Sequence, residues 1–164
     1  MERVAGVLRL QPRVFEDIEA DGGANGQALG VVVLSSLAAG VGGGVIGGLG
    51  GMVAEALGAV VGWVMWAGVT YVLGARLMPE PNTRTDMGEL LRVIGYSYAP
   101  SFFALFAGLP LVGYGIRMVV DFWLLATTVL AVRQALDYKS TLRAFAVVLI
   151  GWLIFVGIQW ALRV

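Results

Sequence analysis

Residues 56–75, ALGAVVGWVMWAGVTYVLGA, form a run of 20 residues without a charge, bounded by Glu55 and Arg76. At ~1.5 Å per helical residue such a run is ~30 Å long, the thickness of a bilayer's hydrocarbon core. It reads as a membrane-spanning helix.

Similar runs lie on either side. Upstream, no residue from Gly22 to Ala54 is charged, and the hydrophobic part begins at Ala28, giving a first span at about 28–47. The quoted run is the second, 56–75. A polar stretch from Arg76 to Arg92 follows, with Pro79, Pro81 and Asn82 as helix breakers. Val93 to Ile116 is uncharged but holds Pro100, Gly108 and Pro110, and it divides there into a third span, 91–107, and a fourth, 111–132. The run to Leu162 supplies a fifth, 144–162.

Composition agrees: of 164 residues, 59% are apolar and 13% charged. Soluble domains average ~45–50% and ~25%. A domain of ~150 residues buries only ~70% of its chain area, so the excess apolar surface must face lipid. The expected fold is all-α: an integral membrane bundle of five transmembrane helices with a short N-terminal amphipathic segment. It forms one membrane domain over 1–164, with 1–27 as a cytoplasmic or interfacial flank. The lipid bilayer is its first partner.

The same arithmetic excludes much chemistry. Eleven basic residues balance eleven acidic ones, so no basic field attracts nucleic acid. There is no cysteine and no histidine, which removes thiolate nucleophiles, the commonest zinc and haem ligand and the usual general base. No metal site, cofactor or catalytic residue is expected, and the chain does not read as an enzyme. Lys and Arg outside the spans number 3, 0, 3, 0, 3 and 1 in successive segments. That alternation predicts a cytoplasmic N-terminus and a C-terminus outside. The acidic flank is unlike a secretory signal.

Four features are candidates for function. In the N-terminal flank, Val4, Val7 and Leu8, then Val14, Phe15 and Ile18 after Pro12, read either as an interfacial segment or as a cap over the span ends. Eight glycines fall between Gly40 and Gly51. Glycines four apart, Gly40 with Gly44 and Gly58 with Gly62, point to close packing of spans one and two, or to self-association. Glu55, Arg117 and Asp121 are expensive in lipid, at ~2.5–3.5 kcal/mol each at mid-bilayer. Arg117 and Asp121 share a helical face, and Arg117 lies between the two acids in depth. A buried Glu55–Arg117–Asp121 network joining spans two and four is therefore expected. Trp160 and Tyr114 suit an aromatic belt, while Trp63, Trp66, Trp123 and Trp152 read as packing.

The segment Leu91-Arg92-Val93-Ile94-Gly95-Tyr96-Ser97-Tyr98-Ala99-Pro100 resembles the central motif of the Yip family, the Ypt/Rab-interacting membrane proteins. Pro12–Ile18 and Ala135–Thr141 are similar to the family's approaches to its first and last spans. The resemblance implies five spans with a cytoplasmic N-terminus, and Gly95, Tyr96 and Pro100 as the positions that carry over. The eukaryotic members' Asp-Leu-Tyr-Gly-Pro motif and long N-terminal region are missing, so the resemblance does not extend to small-GTPase binding. Pro100 within a span is expected to kink it and free a carbonyl near Tyr96.

The leading functional expectation is a non-enzymatic scaffold or accessory subunit that associates with other integral membrane proteins or with itself. One alternative is a small oligomeric transporter or channel lined by Glu55, Arg117, Asp121, Thr70 and Gln159. Another is a packing subunit of a photosynthetic or respiratory complex. Ten arginines against one lysine, with abundant Ala, Gly and Val, suggest a bacterial inner membrane.

Overall fold

The computed structural model describes residues 2–44 and 48–161. Two short helices, α1 (Glu2–Leu8) and α2 (Pro12–Ala20), precede five long ones. These are α3 (Asn25–Gly42), α4 (Gly48–Thr70), α5 (Met87–Ser97), α6 (Gly113–Ala135) and α7 (Thr141–Ala161). α4 continues as a π-helix over Tyr71–Leu77, and α5 continues as a 3-10 segment over Ala99–Gly108. With these extensions, five helices are long and apolar enough to cross a membrane, and no strand occurs among the described residues. The protein is an all-α membrane bundle.

The ends of the spans follow local chemistry. The third begins at Met87, a turn earlier than its apolar pattern suggests, because Asp86 and Glu89 form a reciprocal capping box at 2.8 Å in both directions. The first stops at Gly42, where Gly44 takes φ +73° and turns the chain. The expected boundary at 47 and the last residue of the fifth span lie outside the described residues.

The third span stands at the centre, with 56% of its most apolar window buried against 22% for α7. α3, α4 and α6 surround it, and α7 closes the bundle between α4 and α6. The closest backbone approach is between α3 and the 3-10 segment. A Cβ on Gly42 would overlap the Ala104 carbonyl, and one on Gly108 would come within 2.9 Å of the Gly42 carbonyl oxygen.

The glycine expectation is corrected accordingly. Gly40 is buried in α3, but Gly44 is an exposed turn residue. Gly58 faces outward with nothing near its Cβ position, and Gly62 meets only Phe155 of α7, at 3.7 Å. Spans one and two do pack, but the tight glycine contact joins span one to span three. Spacing by four places glycines on one face without saying which neighbour that face meets.

At the N-terminal side α1 and α2 fold back on each other, a Cβ on Gly6 meeting Val14 at 2.5 Å. The pair buries Val7, Phe15 and Ile18 completely, with α2 lying along α5 and α6.

Replacing Gly42 with leucine should force the 3-10 segment away, and overpacking of this kind costs ~1–3 kcal/mol or more. The thermal midpoint of the detergent-solubilised protein should fall clearly for Gly42→Leu and stay unchanged for Gly58→Leu; equal midpoints would refute the assigned contact.

Candidate functional site

Gly95, Tyr96 and Pro100 lie where α3, α4, α5 and α6 meet. Gly95 lets three helices touch: a Cβ there would come within 2.8 Å of the Ala28 Cβ and 3.2 Å of the Trp63 ring. Trp63 in turn donates its indole N–H to the Leu91 carbonyl at 3.0 Å, tying α4 to the preceding turn of α5. Tyr96, 2% exposed, donates its hydroxyl to Gln27 Oε1 on α3 at 2.6 Å.

Pro100 is buried and opens the 3-10 segment. Proline has no N–H to return to the preceding turn, and in hydrocarbon no water replaces it. A hydroxyl from a neighbouring span does so at Ser97, where Thr127 on α6 donates to the carbonyl at 2.8 Å. Ser35 on α3 donates to the next carbonyl, Tyr98, at 3.0 Å. The Ser97 and Thr128 hydroxyls lie 3.3 Å apart. Span three is therefore fastened to a helix on each side around Pro100. The result is a change to a tighter helix type rather than a simple kink.

The other candidates do not assemble as expected. Arg117 and Asp121 form an ion pair at 3.0 Å, but their side chains are 55% and 54% exposed. Glu55 is exposed on α4, with no hydrogen-bond or ion-pair partner among the described residues. No buried Glu55–Arg117–Asp121 network exists, because α5 and α7 stand between α4 and α6. Thr70 is fully buried and Gln159 half-buried, while Glu55, Arg117 and Asp121 face outward. Among the described residues no group of carboxylates is arranged to hold a metal ion. Trp63 and Trp66 are buried, whereas Trp152, Trp160 and Tyr114 point outward.

Sequence reasoning did not single out a second cluster, where α2 meets the ends of α5 and α6. Arg92, 8% exposed, donates to the Glu19 carbonyl at 2.5 Å, while its Nε has no partner. Gln134 donates to Glu16 at 2.8 Å. The Glu19 carboxyl is pushed up to about 7, chiefly by burial and then by the negative charges of Asp137 and Glu89, with Arg92 acting in the opposite sense. At the other end of the pair Arg3 and Asp21 form an ion pair at 2.7 Å; the hydrogen bond from Arg3 holds the Asp21 carboxyl below its usual range. The signal for the Arg92 cluster was present as a charged residue inside an apolar motif. The hydroxyls of Ser35 and Thr127 were visible as polar residues within apolar runs, but their partners were not.

Two measurements test this geometry. Thr127→Val keeps the shape and strands the Ser97 carbonyl, at a cost of ~1–3 kcal/mol. Ser35→Ala should cost less, because the Tyr98 carbonyl also accepts from the Ser101 N–H at 2.9 Å. Equal thermal midpoints for Thr127→Val and the wild type would refute the bridge. For Glu19, a carboxyl whose pKa is raised by docking holds its proton in the docked state. Stability is then greatest at low pH and declines as pH rises from about 4.5 towards 7. The thermal midpoint should be lower at pH 8 than at pH 5, and Glu19→Gln should flatten that dependence; an unchanged pH profile in the variant would exclude Glu19 as its source.

The sequence matches the model of the Yip1 domain over residues 5–162. No curated protein and no solved structure matches it. The match covers α1 from Ala5 onward, α2 and all five spans, and it agrees with a multi-pass helical bundle. The chain belongs to the Yip1 family of membrane proteins.

Proposed function

We propose that the protein is a non-catalytic membrane scaffold that receives transmembrane helices of other proteins, or of a second copy, along the outward face of α4. The observation that carries this reading is an open stripe of small residues. Gly50, Ala54 and Gly58 are spaced by four and exposed, and nothing lies within 4 Å of the Cβ positions of either glycine. Helices in lipid associate through such stripes because small side chains let backbones approach. Glu55 stands beside the stripe, exposed and without a partner. A carboxylate at the edge of the apolar run gains from a donor that meets it. A partner helix that carries a donor satisfies both features.

The proposed setting is a bacterial inner membrane with the N-terminus cytoplasmic. Support comes from the clustering of the basic connections. Arg143 reaches the Pro79 carbonyl at 3.4 Å and Glu80 at 3.7 Å, and Thr83 donates to the Leu136 carbonyl at 2.9 Å. The Arg-bearing segments 76–92 and 133–143 thus meet at one end of the bundle, as a positive-inside arrangement requires.

Purification from the native membrane in a gentle detergent should bring partners with the wild-type protein. Gly58→Leu should lose them without a change in thermal midpoint, and Glu55→Ala should weaken their retention. Identical co-purification in both variants, or none with the wild type, would refute the scaffold reading.

A further inference from the structure

The apolar wall of the bundle starts at different depths on different sides. On α7 it starts at once: Leu142, the second residue of the helix, is 76% exposed, and exposed apolar side chains continue to Trp160, 72% exposed. From Leu142 to Trp160 is ~27 Å at helical rise, close to a ~30 Å hydrocarbon core. Beside α6 the α1–α2 pair covers the wall from Gln134, which donates to Glu16, to Trp123, which donates to the Leu8 carbonyl. Those two positions on α6 are ~16 Å apart. A second depth agrees. α1 also touches the 3-10 segment, whose first residue, Ala99, lies ~18 Å inside Met87.

The outer side of the pair is not apolar. Glu2, Arg9, Arg13, Glu16 and Asp17 are exposed, and a recess of about 700 Å³ between α1 and α2 is lined in part by Glu2, Arg9 and Asp17. Arg9, Arg13 and Asp17 make no ion pair among the described residues. Only beyond Trp123 does this side become apolar, with Val119 and Val112 among the residues along α6. From Trp123 to Val112 is ~16 Å. One side of the protein thus presents little more than half the apolar height of the other.

We propose that the α1–α2 face thins the membrane beside it and lets phospholipid headgroups pass from one leaflet to the other without an energy source. A flat bilayer would submerge the exposed charges of the pair in hydrocarbon. Water and headgroups that follow the pair downward solvate them instead, and a bilayer yields in thickness at a smaller cost than charges lose water. A headgroup at the level of Trp123 then has ~16 Å of apolar wall left to cross, about half of the usual ~30 Å. Its acyl chains stay in the surrounding lipid, so the passage needs no enclosed site. Arginines and carboxylates alternate along the pair, which suits zwitterionic and anionic headgroups alike. The face is built by helices other than α4 and acts independently of partner binding there.

The test places the full chain in liposomes whose phosphatidylethanolamine or phosphatidylglycerol carries a fluorescent headgroup in both leaflets. Dithionite added outside bleaches only the lipid that reaches the outer leaflet. Protein-free vesicles should keep the inner-leaflet signal, and wild-type vesicles should lose it with either lipid. Replacing Arg9, Arg13 and Asp17 together with leucine should slow that loss by roughly tenfold or more at an unchanged thermal midpoint. Accessibility gives a second reading. The chain has no cysteine, so single thiols can be offered a membrane-impermeant maleimide in nanodiscs. Gln11→Cys, at the exposed turn between α1 and α2, should react, whereas Leu153→Cys, exposed on α7 ~18 Å from Thr141, should not. A protected Gln11→Cys, an inner-leaflet signal that the wild type leaves intact, or a triple leucine variant as fast as the wild type would each overturn the proposal.

Discussion

A backbone carbonyl surrounded by hydrocarbon needs a donor, because no water is present to supply one and each unmet group costs several kcal/mol. Pro100 places that demand at the centre of the bundle. At the Ser97 carbonyl the donor comes from another span, Thr127 of α6, and Ser35 of α3 adds a second donor to the Tyr98 carbonyl beside the Ser101 N–H. Satisfying the backbone and packing α6 against the third span are therefore linked at Ser97. The positions of Gly95 and Tyr96 follow from this arrangement, since the first admits Trp63 and Ala28 against the span and the second reaches Gln27 from the adjoining turn.

The α1–α2 pair obeys a different balance. Its inner face is hydrophobic and fully buried at Val7, Phe15 and Ile18, while its edges carry carboxylates and arginines beside a membrane-spanning wall. Burial raises the Glu19 carboxyl, and an orphaned nitrogen on Arg92 lies nearby. Docking of this pair thus leaves polar groups incompletely compensated, as the spans themselves do at the Thr70 hydroxyl of α4, which is buried without a partner.

Much of the architecture was legible because charge-free runs of ~20 residues have few alternative uses. The number of spans, the break near Gly108–Pro110 and the isolation of Pro12–Ile18 all follow from that. What failed was azimuth. Depth can be counted along a helix, which sets Glu55 and Arg117 at compatible levels, but which way each points depends on neighbours that one sequence does not reveal. The same ignorance affected the glycines. Gly42 is one of eight glycines among residues 40–51, and only the course of the 3-10 segment distinguishes it from Gly44 or Gly58. Helix type was the third hidden quantity. Runs of 3-10 beyond three or four residues are uncommon, and the motif gives no local sign that the ten residues Ala99–Gly108 would adopt it.

That helix type has a mechanical corollary. Ten residues at ~2.0 Å each extend ~20 Å, whereas the same ten wound as an α-helix would extend ~15 Å. The stretch between Tyr98 and the Leu109 turn thus holds ~5 Å of reach in its winding alone, comparable to the difference in thickness between thin and thick cellular bilayers. With three residues per turn, Ser101, Ala104 and Ala107 also fall in one row and give α3 and α6 a smooth, narrow track to bear on.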